Sequence, residues 1–99
     1  MIRHLVMWKV AATEKRSKEE NMQEMKVRLM GLKGEIDELK EIAVGINFNL
    51  SDAAYDVVLE STFDSQADLD AYQVHPKHVA VRDFVRTVAT ARVVVDYKA

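Results

Sequence analysis

The sequence predicts an α+β fold in which strands and helices follow one another in the order β-α-β-β-α-β. In four stretches, apolar and polar residues alternate with the period of two that is typical of strands. Between the first and second stretches, and again between the third and fourth, apolar residues recur at spacings of three and four, as in amphipathic helices. This order favours a four-stranded antiparallel sheet with helices on one face.

The first strand is predicted at residues 2–10. Its alternation places Leu5 and Met7 on one side. The other side carries most of the apolar residues together with one histidine, namely Ile2, His4, Val6, Trp8 and Val10. Both sides of this strand are therefore partly apolar.

The first helix is predicted from the segment that begins with Ser17, because Ser17 and Glu20 have the spacing of a capping box. The helix should extend to about residue 33, with Gly34 as its stop. One apolar stripe is expected to face the sheet, formed by Met22, Met25, Leu29 and Leu32.

Two further strands are predicted at residues 40–48 and 55–63, separated by the turn residues 49–52. In the first of them the apolar residues that share a face are Ile42, Val44, Ile46 and Phe48. In the second they are Tyr55, Val57, Leu59 and Phe63.

The second helical segment begins at Ser65 and contains the only proline, Pro76. Proline lacks a backbone N–H and suits the first turn of a helix, so one helix should end near Val74 and another begin near Pro76. The inner stripe of the later helix is predicted to be Val81, Phe84, Val85 and Val88. The last strand, at residues 92–97, is rich in β-branched residues.

The sheet face away from the helices is predicted to be apolar, because Leu5, Met7, Val93 and Val95 lie on it. An apolar face of this kind usually marks an interaction surface. Its simplest cover is the same face of a second copy, so the sequence predicts a symmetric homodimer.

Composition excludes several classes of function. The chain has 99 residues, which suits a single domain at residues 1–99, and its net charge of −2 argues against a nucleic-acid partner. Cysteine is absent, which excludes disulfides and thiolate metal sites. We expect no membrane span and no signal peptide, and hence a cytoplasmic location.

Four stretches of sequence together resemble the stress-responsive A/B barrel (Dabb) family. They are the opening Ile-Arg-His-Leu-Val-Met-Trp-Lys, the pair of segments 45–47 and 55–59, the segment Tyr-Gln-Val-His-Pro-Lys-His at residues 72–78, and the closing Val-Val-Asp-Tyr. The resemblance spans residues 2–97 and implies a ferredoxin-like fold that pairs into a dimeric α+β barrel. It implies a reaction far less firmly, because a fold does not fix a function.

A plant polyketide cyclase is a characterised relative in this family, and the resemblance implies a pocket between helices and sheet. It also implies a Tyr/His pair for proton transfer, which matches Tyr72 and His78, and a further histidine that matches His4. The aromatic residues that line the cyclase pocket are absent here, where Met22, Met25, Val88 and Ala89 stand instead. This difference leaves the substrate open.

We predict His78 and Tyr72 as the catalytic residues, because imidazole transfers protons near neutral pH and a phenol can donate to a developing enolate. Their six-residue spacing can converge only because Pro76 breaks the helix. The alternative is that the histidines cap helix ends and that Tyr72 buries its ring and leaves its hydroxyl wet. The predicted ligand-binding residues are His4, Val6, Trp8, Met22, Met25, Val57, Leu59, His75, Val81 and Val94.

Other polar residues have more ordinary interpretations. His75 should mainly close the helix break with a hydrogen bond, and a metal site formed by His75, His78 and His4 is a weak alternative. Arg92 is expected to pair on the surface with Asp96 or with a helix acid rather than with a ligand carboxylate. No cofactor is expected, although a cation bound to main-chain carbonyls after the first helix stays open.

Three functions follow from these observations. The first is a homodimer that binds or transforms a small aromatic or polyketide-like molecule through His78 and Tyr72. The second is a non-catalytic stress-associated structural protein. The third, and weakest, is a monooxygenase of the dimeric α+β barrel class, either free of cofactor or with haem.

Overall fold

The computed structural model describes residues 1–99 and contains one four-stranded antiparallel sheet and three helices. In chain order the elements are β1 (Ile2–Val10), α1 (Lys18–Met30), β2 (Glu41–Ile46), β3 (Val57–Phe63), α2 (Gln66–Val74), α3 (Pro76–Val88) and β4 (Ala89–Lys98). The predicted β-α-β-β-α-β order is confirmed, with the second helical segment divided at Pro76 into α2 and α3.

The strands lie side by side in the order β2-β3-β1-β4. Val6 of β1 lies opposite Leu59 of β3 on one side and Val94 of β4 on the other. Strands β1 and β4 pair in antiparallel orientation along their length. His4 therefore lies opposite Asp96, and Trp8 lies opposite Arg92. The first and last strands are thereby neighbours in the sheet, and residues about eighty or more positions apart in the chain become partners.

Local side-chain bonds begin the helices where the sequence predicts. The Ser17 hydroxyl accepts from the Glu20 N–H at 3.1 Å and the Glu20 carboxylate accepts from the Ser17 N–H at 2.9 Å, which is the reciprocal capping box. At the later break, Pro76 is the first residue of α3 and His75 is its N-cap, whose Nδ1 accepts from the Lys77 N–H at 3.1 Å. The structural role predicted for His75 is therefore confirmed.

Helix α1 is shorter than predicted, because it ends at Met30 with Gly31 as its C-cap. Gly34, the predicted stop, lies in the following turn with a φ of 79°, a conformation that suits glycine. The segment after α1 contributes three buried apolar side chains, Leu32, Ile36 and Leu39, of which only Leu32 belongs to the predicted inward stripe.

Three strand boundaries were also wrong. Phe48 lies beyond the end of β2 and is 94% exposed, and Tyr55 lies before the start of β3. Strand β4 begins at Ala89, directly after α3, rather than at residue 92. Each error falls at an element end, where tertiary contacts outweigh local preference.

The core lies between the helices and one face of the sheet. Its most deeply buried large side chains include Val6, Met25, Ile36, Phe63 and Tyr72. The opposite face of the sheet has no layer over it within the chain, and Met7, Val93, Val95 and Tyr97 are 42–60% exposed there. The prediction of a second, apolar sheet face is confirmed.

Candidate functional site

A cavity of about 240 Å³ lies between the sheet and helix α3. Strands β1, β3 and β4 form its floor, and α1, α2 and α3 form its walls. Its lining residues are His4, Val6, Trp8, Leu29, Leu59, Gln73, His78, Arg82, Val85, Arg86 and Arg92. The floor is mainly apolar, and the polar groups are concentrated on α3 and β4.

The break between α2 and α3 fixes the orientation of His78. The last carbonyls of α2 lack partners within the helix, and the Lys77 N–H, four residues after Gln73, is bonded to His75 instead. The Gln73 carbonyl is therefore free to accept from Nδ1 of His78 at 3.1 Å. A carbonyl only accepts, so Nδ1 of the neutral ring carries the hydrogen and Nε2 keeps its lone pair.

The surroundings of His78 favour the neutral imidazole. Burial lowers the pKa of His78 below its usual value, the hydrogen bond to Gln73 raises it, and the positive charges of Arg82, His4 and Arg92 lower it further. The net direction is downwards. At neutral pH the ring is therefore in the form that can remove a proton.

Tyr72 lies behind His78 and not in the cavity. Its ring is completely buried, with its centroid 4.3 Å from that of His78 and 5.0 Å from that of Phe63. The hydroxyl is buried and has no hydrogen-bond partner, and burial raises the pKa of the Tyr72 phenol well above its ordinary value. The alternative in which this hydroxyl is exposed to solvent is wrong. The structure brings the two rings together, while the catalytic role of Tyr72 stays a prediction.

His4 is held at the cavity floor by Asp96. Both residues point to the helix side of neighbouring strands, and Nδ1 of His4 donates to the Asp96 carboxylate. His4 is only 2% exposed, whereas the Asp96 side chain is 44% exposed. Arg92 forms the expected surface pair neither with Asp96 nor with a helix acid, because it lies opposite Trp8 and Asp96 pairs with His4.

The predicted ligand-binding residues separate into two groups. His4, Val6, Trp8 and Leu59 line the cavity, as does His78 of the predicted catalytic pair. The others lie elsewhere: Met25 and Val57 in the core, Val81 packed against it, Met22 in another cavity, His75 at the helix junction, and Val94 at the sheet edge, where it is 45% exposed.

Sequence reasoning missed six lining residues, namely Leu29, Gln73, Arg82, Val85, Arg86 and Arg92. A signal for the arginines existed, because Arg82 and Arg86 are four residues apart and follow Val81 and Val85 of the predicted inner stripe. No signal marked Gln73, whose contribution to His78 comes from its main chain.

A larger cavity, of about 420 Å³, lies between the start of α1 and the segment that follows β2. It contains no histidine, and its Lys18 and Asp56 form an ion pair at 3.1 Å. No three His, Asp or Glu side chains anywhere in the chain are grouped to hold a metal ion, so the weak metal alternative for His75, His78 and His4 has no supporting geometry. The smaller cavity therefore has the stronger chemical case.

No helix has both the length and the apolar character needed to cross a bilayer.

The sequence of this chain matches a known family, and its fold matches solved structures. The family model described as the Stress responsive A/B Barrel Domain matches residues 2–99. A dimeric protein of unknown function with a ferredoxin-like fold from Bacteroides fragilis is 29% identical, with a TM-score of 0.84 over 99% of this chain and 95% of that chain. A dimeric ferredoxin-like protein of unknown function from Thermobifida fusca is 26% identical, with a TM-score of 0.82 over 99% of this chain and 90% of that chain.

Hydroxynitrile lyase from Passiflora edulis shares the fold, with a TM-score of 0.80, 21% identity and coverage of 97% of this chain and 90% of that chain. No curated protein matches the sequence of this chain.

Proposed function

We propose that this chain, which belongs to the stress responsive A/B barrel domain family, is a homodimer that binds a small, partly aromatic or polyketide-like molecule beside His78 and transfers a proton on it. The observation that carries the proposal is the hydrogen bond from Nδ1 of His78 to the Gln73 carbonyl. It leaves the basic Nε2 available beside a cavity of about 240 Å³.

The proposed chemistry is removal of a proton from carbon next to a carbonyl group. Nε2 of His78 accepts the proton and can return it at a later step, a contribution that is typically worth about 10²–10⁴-fold in rate. His4, oriented by Asp96, adds a second ring nitrogen at the cavity floor. Tyr72 supports the His78 ring from behind and acts as a positioning residue.

The homodimer is proposed to form through the uncovered sheet face. Met7, Val93, Val95 and Tyr97 are 42–60% exposed on that face, and apolar surface of this kind is normally covered in a stable assembly. The similar proteins from Bacteroides fragilis and Thermobifida fusca are described as dimeric, which supports the same arrangement here. The cavity lies on the opposite, helix-covered side, so each protomer would carry its own site.

Deuterium exchange into the methyl group of acetophenone in D₂O, followed by proton NMR, tests the proton transfer. Acetophenone has one aromatic ring and an acidic C–H next to a carbonyl. We expect the wild-type dimer to accelerate exchange, and His78→Asn to remove the acceleration. His75→Asn is the matched control, because Asn is a good N-cap and His75 lies outside the cavity.

Two failures of this experiment have different meanings. If acetophenone shifts the amide resonances of cavity residues but exchange is not accelerated, the cavity binds ligands without proton transfer. If the cavity resonances do not respond to acetophenone at all, and exchange is not accelerated, the proposed ligand site is contradicted as well.

The non-catalytic alternative rests on the sealed hydroxyl of Tyr72. Because that hydroxyl is buried and does not reach the cavity, the Tyr72 and His78 rings could serve packing alone. In that case Tyr72→Phe and His78→Ala change stability and nothing else. The monooxygenase alternative stays a prediction, and a visible absorption spectrum of the purified protein would reveal a bound haem or flavin.

A further inference from the structure

The charged residues that line the cavity are all of one sign. Arg82 and Arg86 come from α3 and Arg92 from β4, and no Asp or Glu is among the lining residues. The chain as a whole has a net charge of −2, so this concentration of positive charge is not a consequence of composition. It is a property of the way in which the fold brings α3 and β4 together.

Two elements direct these arginines to the same place. Arg82 and Arg86 are four residues apart and so lie on one face of α3, next to Val85, which also lines the cavity. Arg92 lies opposite Trp8 in the β1–β4 register, on the helix-covered side of the sheet. The three arginines therefore line one cavity.

Ion pairs within the protein account for little of this charge. Arg86 and Arg92 form no salt bridge. Five of the ion pairs in the chain join residues that do not line the cavity. Arg82 has one long contact, 3.7 Å from its Nε to the exposed carboxylate of Asp83, and the same buried Nε has no hydrogen-bond partner. Buried polar groups normally have partners, so no bond within the protein uses the hydrogen-bonding capacity of this nitrogen.

We propose that the cavity selects a small molecule with an oxyanion group, which Arg82, Arg86 and Arg92 hold at the opening while its uncharged part packs on the apolar floor beside His78. This inference rests on the proposed function, since it names the substrate class of the same site. The planar guanidinium group suits carboxylate and phosphate, which it can bind with two parallel hydrogen bonds.

The size of the cavity limits the ligand. An engineered cavity of about 150 Å³ in another protein accepts benzene. At about 240 Å³ the present cavity has room for one aromatic ring and a short substituent. A single-ring carboxylate or phosphate fits this volume, with the ring against Val6, Trp8 and Leu59.

Binding of three probes that differ mainly in charge tests the inference. Benzoate and phenyl phosphate carry the two oxyanions, and benzamide is the neutral analogue of benzoate. Titration of the wild-type dimer at fixed ionic strength, followed by amide NMR shifts of cavity residues, gives the three dissociation constants. We expect benzoate or phenyl phosphate to bind at least about 10-fold more tightly than benzamide, and the stronger of the two identifies the oxyanion.

The double variant Arg86→Gln/Arg92→Gln should remove this preference without loss of folding, because both side chains are exposed. Lys26→Gln is the control, since it removes positive charge from an exposed position on α1 away from the cavity. Thermal unfolding of each variant checks that the fold is intact.

Equal binding of all three probes, or a preference for anions that survives in the double variant, would overturn the inference. Either result would leave the proposed ligand site standing, because benzamide still reports on the cavity. Absence of any cavity shift with all three probes would instead count against the proposed function.

Discussion

The rings of Tyr72 and His78 are in contact with their planes tilted by 43° and their centroids 4.3 Å apart, although the two residues belong to different helices. Pro76 makes this contact possible, since it ends α2 and starts α3 between them. Tyr72 is completely buried on the core side of His78, and His78 lines the cavity.

Replacement of His78 should change how stability depends on pH. The folded-state pKa of His78 is lowered, mainly by burial, so the unfolded chain takes up the proton more readily. The free energy of unfolding should therefore fall as pH drops below about 6.5, the ordinary histidine pKa. His78→Asn should reduce this fall, measured by urea unfolding between pH 7.5 and 5 at constant protein concentration. An unchanged pH profile would contradict the lowered pKa.

Tyr72→Phe should maintain or increase stability. The hydroxyl is buried without a partner, and an unsatisfied buried polar group costs about 1–3 kcal/mol. The variant keeps the ring that packs on His78 and Phe63, so we expect a gain of about 1 kcal/mol in denaturant unfolding, whereas Tyr72→Ala should lose about 3–5 kcal/mol. A loss of about 1 kcal/mol or more in Tyr72→Phe would mean that the hydroxyl has a stabilising partner.

The alkaline limit of stability offers a second measurement on Tyr72. Burial raises the pKa of this phenol in the folded state above that in the unfolded chain. The resulting contribution to the free energy of unfolding is complete below pH 10 and is lost as the pH rises above 10. Tyr72→Phe should therefore unfold less readily than wild type above pH 10.

Asp96→Ala should destabilise the fold by about 1–2 kcal/mol, because it leaves Nδ1 of the buried His4 without its acceptor. The carboxylate is partly exposed, so water can replace some of the lost interaction. Asp64→Ala is the comparison, since its contact with Lys40 is exposed and 3.7 Å long and should be worth less than about 1 kcal/mol. Equal losses of stability in the two variants would show that the Asp96–His4 pair contributes no more than an exposed ion pair.

Val95→Lys should separate the proposed homodimer. Val95 is 60% exposed on the uncovered sheet face, and a lysine there would place a charge in an apolar interface, where burial of an unpaired charge is unfavourable. Val27→Lys is the matched control, because Val27 is 66% exposed on α1. Light scattering after size-exclusion chromatography at micromolar concentration should give a monomer for the first variant only. A dimer for both would move the interface to another surface.

The sequence predicts most of the fold because its signals are local. The capping box at Ser17, the cap at Ser65 and the break at Pro76 act through bonds within a few residues, and the structure shows all three. Element ends were predicted less well. Phe48 continues the apolar alternation of β2 but lies beyond the end of that strand and is exposed. Helix α1 ends with Gly31 as its C-cap rather than at Gly34.

The candidate site was only partly predictable. Alternation along β1 correctly grouped His4, Val6 and Trp8 on the helix side, and all three line the cavity. The expected partner of Asp96 was wrong, because the choice between Arg92 and His4 depends on the register of β4 against β1. The convergence of Arg82 and Arg86 with Arg92 depends on how α3 packs over the same strands.

The order of the elements, the helix starts and the inward faces of the strands can be predicted from the chain, since they follow from hydrogen bonds and periodicity within short segments. Three features of the site depend on how the elements pack: Asp96 pairs with His4, the Tyr72 hydroxyl is buried away from the cavity, and three arginines line one cavity. Strand order, register and helix packing bring together residues that are distant in the chain, and no short-range preference specifies those pairings.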